Sequence, residues 1–369
     1  MPLTAERKHK HARVVEWLRT HKLDAVLLTR RCNFSWYTCG ARNYVGTATD
    51  AGNSTLVVGR DGASVLANNI EQTRLRDEAL AGSGIEVFGY SYHDPADRAK
   101  VIETTVGKRR VAADVPVPGV EAAPLPDDFN RLRWTLTSTE VERYRAVCAD
   151  TVAAVETVAR TADPGQTENE LAAMTAMELM RRGCLPWVLL VGTDERLDLH
   201  RHPLPTAKHV RRYFMIATCA ERGGLIAACS RLASFEKVHG RLAERHSAVV
   251  TVDAALMAVT RPGATLGAIF AEAQKAYATV GYDDQWAFHH QGGSIGYLPR
   301  EVKAAPGSTV AALDHQAFAW NPSVAGTKSE DTILCLETGP ELLAPPTDWP
   351  MIPATWKGFG IDRPAILER

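Results

Sequence analysis

The chain lacks paired cysteines, long apolar runs, a charge excess and low-complexity tracts. Its seven cysteines (Cys32, Cys39, Cys148, Cys184, Cys219, Cys229 and Cys335) are odd in number, scattered and without a C-x-x-C pair. That usage excludes a disulfide scaffold and fits reduced thiols in a cytoplasm, where a buried cysteine behaves as a small hydrophobe. Apolar runs such as Ala25-Val-Leu-Leu28 are far too short to cross a bilayer. The opening Met-Pro-Leu-Thr-Ala-Glu-Arg-Lys-His-Lys has no apolar stretch behind its charges, so the reading is a cytoplasmic protein without a signal peptide or membrane partner. Lys and Arg number 42 against 43 Asp and Glu, a net charge of -1, which gives no electrostatic footprint for nucleic acid.

At 369 residues the chain exceeds a single hydrophobic core, so two domains are expected, 1–135 and 136–369. The first alternates helix and strand. Helices are predicted over Ala5–Thr20, Ile70–Ala81 and Pro95–Val106, with strands over Asp24–Thr29, Ile85–Phe88 and Arg110–Ala113. Ser54–Val58 and Ala63–Ala67 flank Gly59-Arg-Asp-Gly62 as a hairpin. Pro116, Pro118, Pro124 and Pro126 mark a linker.

Beyond the linker, Thr139-Glu-Val-Glu142 and Thr167-Glu-Asn-Glu170 fit the capping box and open helices over about 140–161 and 168–182. A second helix pair, about 249–260 and 266–279, is split by Arg261-Pro-Gly263. Strand-like segments lie at 186–191, 212–219, 224–229, 285–290, 315–324 and 327–336. Two helix pairs, each followed by strands, predict an α+β domain of two similar halves.

Four motifs follow one another in this half: His200-Arg-His-Pro203; the segment Ala217–Arg231, with Gly224, Ser230 and Arg231; His289-His-Gln-Gly-Gly293; and Trp320-Asn-Pro-Ser323 followed by Lys328-Ser-Glu-Asp-Thr332. In their order and content the chain resembles the pita-bread family that contains methionine aminopeptidase, prolidase, aminopeptidase P and creatinase. Asn33–Gly40 stands where that family's creatinase-type N-terminal domain has its Asn/Tyr/Thr-Gly segment. The resemblance implies a pita-bread C-terminal domain behind a smaller α/β N-terminal domain. It also implies a homodimer in which a loop such as Arg42-Asn-Tyr44 closes the partner's site.

The same resemblance places Ala217, Ala228, His290, Asn321 and Glu330 where a dinuclear metallopeptidase of the family carries two Asp, one His and two Glu. A methyl group has no lone pair to give, and such cations need several anionic oxygens. No metal and no cofactor are therefore expected. Creatinase, also without the aspartates, implies a histidine acid/base at His200, but its glutamates match Ser230 and Asn321 here, which argues against creatine itself.

A neutral imidazole takes and returns a proton near pH 7. The expected activity is metal-independent hydrolysis of a C–N bond in a small amide, amidine or urea-like substrate. His200 is the expected acid/base, His290 and Glu330 position substrate or water, and Asn321 polarises the carbonyl. His202, Lys328, Arg300 and Cys219 are expected to contact substrate, with Cys219 as an alternative nucleophile. His200 and His202 lie on one extended segment, and one of them is expected to face a cavity; His289 and His290, neighbours on a strand, should take opposite faces, with His290 the chosen member and His289 structural. A non-catalytic pita-bread binding protein and a lyase using the same histidines are the alternatives.

Overall fold

A computed structural model describes residues 2–369, with side-chain surroundings from Ala5 onward. The chain divides into two compact units, Met1–Arg133 and Trp134–Arg369. No helix among the described residues is long and apolar enough to cross a membrane.

The first unit runs α1 (Pro2–Thr20), β1 (Ala25–Arg30), α2 (Arg31–Tyr37), β2 (Ala51–Gly59), β3 (Ala63–Asn68), α3 (Asn69–Arg74), β4 (Glu86–Tyr90), α4 (Pro95–Thr105), β5 (Val111–Ala113) and β6 (Ala123–Pro124). Its six-stranded mixed sheet has the order β4-β3-β2-β1-β5-β6. The helix expected over 70–81 is α3, capped by the Asn68 side chain, continued by a π turn over Leu75–Ala79. Asn43, expected in a loop reaching a partner, is buried, and its Nδ2 donates to the Thr29 and Ser54 carbonyls. It locks β1 to β2.

The second unit contains α5 (Ser138–Thr161), α6 (Glu168–Arg181), β7 (Leu185–Thr193), α7 (Glu195–Leu199), β8 (Tyr213–Arg222) and β9 (Leu225–Ser234), then α8 (Gly240–Val259), α9 (Leu266–Thr279), β10 (Gly292–Ile295), β11 (Val302–Lys303), β12 (Gln316–Trp320), β13 (Ser323–Val324), β14 (Thr327–Lys328), β15 (Asp331–Cys335), β16 (Glu341–Leu342), β17 (Met351–Trp356), β18 (Phe359–Pro364) and β19 (Leu367–Glu368). Its two larger sheets are β19-β9-β8-β7 and β11-β10-β12-β15-β16, with β13-β14 and β17-β18 as two-stranded ribbons. Val152, Val155 and Leu171 of α5 and α6 pack on Ile216 and Cys229 of the first. Val249, Leu256 and Phe270 of α8 and α9 pack on Phe318, Trp320 and Ile333 of the second. The sheets meet where the Ser230 N–H donates to the Glu330 carbonyl (3.0 Å) and the Ala228 N–H to Thr332 Oγ1 (2.9 Å).

Two local readings differ from expectation. The first capping box uses Thr137 and Glu140, so α5 starts earlier than Thr139-Glu-Val-Glu142 implies. Glu140 is buried and accepts the Tyr297 hydroxyl at 2.7 Å, a tertiary contact that selects this frame over the overlapping one. The strand expected at 285–290 is a 3-10 turn over Gln285–Phe288. Backbone bonds from Gln285 to Tyr282 and from Ala287 to Asp284 close it. Trp286 then packs edge-on against Phe270 while Phe288 stays exposed.

Candidate active site

The site is built from the junction of the two sheets and two loops. Antiparallel register pairs Ala217 with Ser230 and Cys219 with Ala228, so all four side chains share one face of the β8–β9 ribbon. Ser230 fixes what that face meets: its hydroxyl donates to Glu330 Oε2 at 2.7 Å. Lys328 Nζ lies 2.8 Å from the same oxygen, and Arg300 Nη2 donates to Oε1 at 2.9 Å. All four side chains are buried or nearly so.

Strand alternation sends the next residues the other way. Asp331 takes Arg231 (3.0 Å) and Arg363 (2.8 Å), while Arg231 also reaches Glu156 (3.0 Å) and Arg363 reaches Asp253 (2.8 Å). Ser230-Arg231 and Glu330-Asp331 thus form two polar layers on opposite faces of the same strands. Each buried carboxylate has cationic partners, the condition under which buried charge is tolerated.

Three imidazoles form the second part. His202, His289 and His290 offer ring nitrogens that all lie within 4.8 Å of one another. His202 Nε2 and His289 Nε2 are 2.9 Å apart, so one carries the proton that the other accepts. His289 and His290 stack, with centroids 4.5 Å apart and planes 22° from parallel. Because they leave a 3-10 turn rather than lie on a strand, they do not take opposite faces, and both join the group. Gln291, fully buried, donates to the His289 carbonyl (2.7 Å) and accepts from the Tyr277 hydroxyl (2.9 Å). On the other side, Arg201 hydrogen-bonds Gln285, which ties the His202 segment to the 3-10 turn.

The residues expected in the site divide accordingly. His202 and His290 come together, joined by His289. Glu330, Lys328 and Arg300 come together with Ser230. His200 does not join the imidazoles; it is exposed and follows the short helix α7, with its N–H on the Arg196 carbonyl. The chain bends at residues 201–202, and of the two histidines His202 joins the cluster. Asn321 is buried, its N–H donates to the Gln291 carbonyl, and its Oδ1 has no partner among the described residues. Gln291 is a contributor that sequence reasoning passed over, and Ser230 was seen in its motif but given no role in the site. The Ser-Arg pair at 230–231 and the His-His-Gln run were the visible signals.

Electrostatics follow from burial and from this crowd of cations. Burial alone raises the Glu330 carboxyl, but Lys328 and Arg300 outweigh it and hold it at about 2. Burial, then Lys328 and the neighbouring imidazoles, lower His289 to about 2. Burial, then Arg300 and Lys328, lower His290 to about 3. His202 is lowered in the same sense, by partial burial and Lys328. The three rings are therefore neutral near pH 7, each with one donor and one acceptor nitrogen. Burial raises the Cys219 thiol to about 11, which leaves too little thiolate for the nucleophilic role considered for it.

The duplicated helix-pair-and-sheet unit, with its site at the junction of the halves, defines the pita-bread class. Residues 142–337 match Metallopeptidase family M24, and the chain belongs to that family of hydrolases. No curated protein sequence matches it. Among solved structures it is similar to a prolidase from Pyrococcus horikoshii OT3 (17% identity, 92% of this chain and 99% of that one, TM-score 0.75). It is also similar to the dipeptidase PepE from Mycobacterium ulcerans (18% identity, 93% and 97%, TM-score 0.73). A third is the X-Pro aminopeptidase from Thermotoga maritima MSB8 (17% identity, 91% and 98%, TM-score 0.72). At these identities the likeness is one of fold.

The family name implies metal ions, and the residues present do not fit a carboxylate-bridged pair. Ala217 packs with Leu190, Leu197, Met215 and Leu232, an apolar cluster. Ala228 is buried opposite Cys219. The carboxylate on this face, Glu330, has its oxygens taken by Lys328, Arg300 and Ser230. Among the described residues the one group of His, Cys, Asp or Glu close enough to share an ion is the three imidazoles, which include no carboxylate.

Proposed function

We propose that the protein is a cytoplasmic, metal-independent hydrolase that cleaves a C–N bond in a small amide, amidine or urea-like substrate, and that it acts as a homodimer. The observation that carries this reading is the 2.9 Å contact between His202 Nε2 and His289 Nε2, beside a third neutral imidazole and an electrostatically locked carboxylate.

In this reading the acid/base role assigned to His200 from sequence passes to His202, the exposed member of the cluster. His202 takes a proton from water as the oxygen adds to the carbonyl or amidine carbon. The C–N bond then breaks, and His202 returns the proton to the leaving nitrogen. Substrate binding replaces the His202–His289 hydrogen bond with one to the water. His289 and His290 orient water and substrate through N–H groups. Lys328 and Arg300, fixed by Glu330, stabilise the negative charge that develops on the substrate, as pre-positioned donors do. Asn321 supports the carbonyl from the adjoining loop. The near-neutral histidines and cationic wall distinguish this site from creatinase, whose matching glutamates are Ser230 and Asn321 here.

The test is turnover of a panel of amides, amidines and ureido acids by protein dialysed against a chelator. Activity is expected to survive dialysis, and His202→Ala to lower kcat by about 10²–10⁴-fold. Activity that appears only when Mn²⁺ or Co²⁺ is added would overturn the reading. Tight binding without turnover would make the protein a binding member of the family. Light scattering of the purified chain checks the dimer.

A further inference from the structure

The geometry points to a second use of the imidazole cluster: His202, His289 and His290 form a site for a single transition-metal ion of the zinc and copper class. This ion would be an inhibitor of the chemistry proposed above, because coordination occupies the lone pair that His202 needs as a base.

Three features carry the inference. First, the ring nitrogens lie within 4.8 Å of one another, and one pair is already at 2.9 Å. Ligands about 2.0–2.1 Å from a tetrahedral ion sit roughly 3.3 Å apart, so small ring rotations would close the set around one ion. Three imidazoles occupy one face of the tetrahedron and leave the fourth position for water. Second, Nδ1 of both His289 and His290 is buried with no hydrogen-bond partner among the described residues. His289 turns its other nitrogen, Nε2, toward His202, so no hydrogen bond at Nδ1 opposes the small ring rotations that would bring the set onto one ion. Third, the cluster is held from outside. Gln291 fixes the His289 backbone and Arg201 ties the His202 segment to Gln285, so little ordering remains to be done on binding.

The donor set also selects the ion. No carboxylate belongs to the group, and Lys328 and Arg300 stand nearby with only Glu330 to offset them. Hard cations such as Mg²⁺, Ca²⁺ and Mn²⁺, which bind through anionic oxygen, have nothing to hold them. Zn²⁺ and Cu²⁺, which bind neutral imidazole well, tolerate the unfavourable field better.

Isothermal titration of chelator-treated protein with Zn²⁺, and visible absorption of the Co²⁺ form, test the site. The expected result is one equivalent of Zn²⁺ per chain, Co²⁺ ligand-field bands of a low-coordinate site, and no heat from Mg²⁺. His202→Ala lies at the exposed edge, so the fold persists, and should weaken Zn²⁺ binding at least tenfold. His200→Ala, two residues away and outside the cluster, should leave it unchanged. No stoichiometric Zn²⁺ binding, equal losses in the two variants, or Mn²⁺ bound as tightly as Zn²⁺ would each overturn the inference. The titration needs no substrate. Zinc binding without turnover would sink the proposed hydrolysis and leave this site standing; turnover without zinc binding would do the reverse.

Discussion

Replacing Glu330 by Gln removes the one negative charge on the site face while keeping the side chain's shape and an acceptor for Ser230. Two buried cations are left behind, since the Lys328 and Arg300 side chains are 6% and 10% exposed. Two routes give the size of the effect. Breaking a buried pair by deleting one partner costs about 3–5 kcal/mol. Independently, holding a carboxyl at about 2 rather than 4.5 corresponds to roughly 3 kcal/mol in favour of the ionised folded state.

The two agree, so Glu330→Gln should lower stability at pH 7 by about 3–5 kcal/mol. In a unit of this size that is on the order of 10 °C in Tm. The pH dependence sharpens the test. The folded carboxyl titrates below the unfolded one, so its contribution is complete above pH 4.5 and fades as pH falls toward 2. Scanning calorimetry of both proteins from pH 7 downward should show the gap constant to about pH 4.5 and narrowing below it. A Tm within about 2 °C of the parent at pH 7, or a gap that does not depend on pH, would refute the claim that Glu330 is the electrostatic anchor of the site.

Three further outcomes are expected. His246 is buried, its Nε2 donating to the Pro364 carbonyl and its Nδ1 accepting from Thr327. Burial lowers it to about 4; because the unfolded imidazole protonates first, stability should fall by up to roughly 3 kcal/mol as pH drops from 6.5 to 4, and His246→Gln should flatten that slope in urea titrations. Gly292 adopts φ +102, and a Cβ there would meet the Ala319 carbonyl oxygen at 2.2 Å, so Gly292→Ala should cost at least about 1–3 kcal/mol and disturb the adjoining histidines, seen as shifted imidazole NMR resonances. Ala217→Asp would place a carboxyl in an apolar cluster and should destabilise by about 3 kcal/mol; a rise in Tm of that variant on adding Mn²⁺ would show that the lost ligand set can be rebuilt, against the fit argued above.

Much of this organisation was legible in the chain because the informative signals were local. The Thr167-x-x-Glu170 box, Arg261-Pro-Gly263 and the apolar runs of β8 and β9 each specify their own element. The four ordered motifs then specified the pita-bread fold. What escaped was set by tertiary context. Thr137 and Thr139 both head a Thr-x-x-Glu frame, and tertiary contacts such as that of Tyr297 with Glu140 favour the first. The 285–290 segment has strand-like composition, yet i→i+3 bonds curl it. That error also misassigned His289, since alternation holds on a strand and fails after a 3-10 turn. The choice of His200 over His202 rested on the resemblance to creatinase; residues two apart on an extended segment would share a face, and the bend at residues 201–202 could not be read from composition.

Ala217 and Ala228 acquire a physical meaning from this arrangement. In a site built around metal ions, carboxylates and cations alternate, and the ions carry the positive charge. Here Lys328 and Arg300 supply positive charge as side chains on Glu330, where a metal site would have its ions. A variant that restores carboxylates while keeping Lys328 should be more stable than one that also replaces Lys328 by Met, with a coupling of about 1–3 kcal/mol in a double-mutant cycle. Strict additivity would mean that the two features do not share an electrostatic environment.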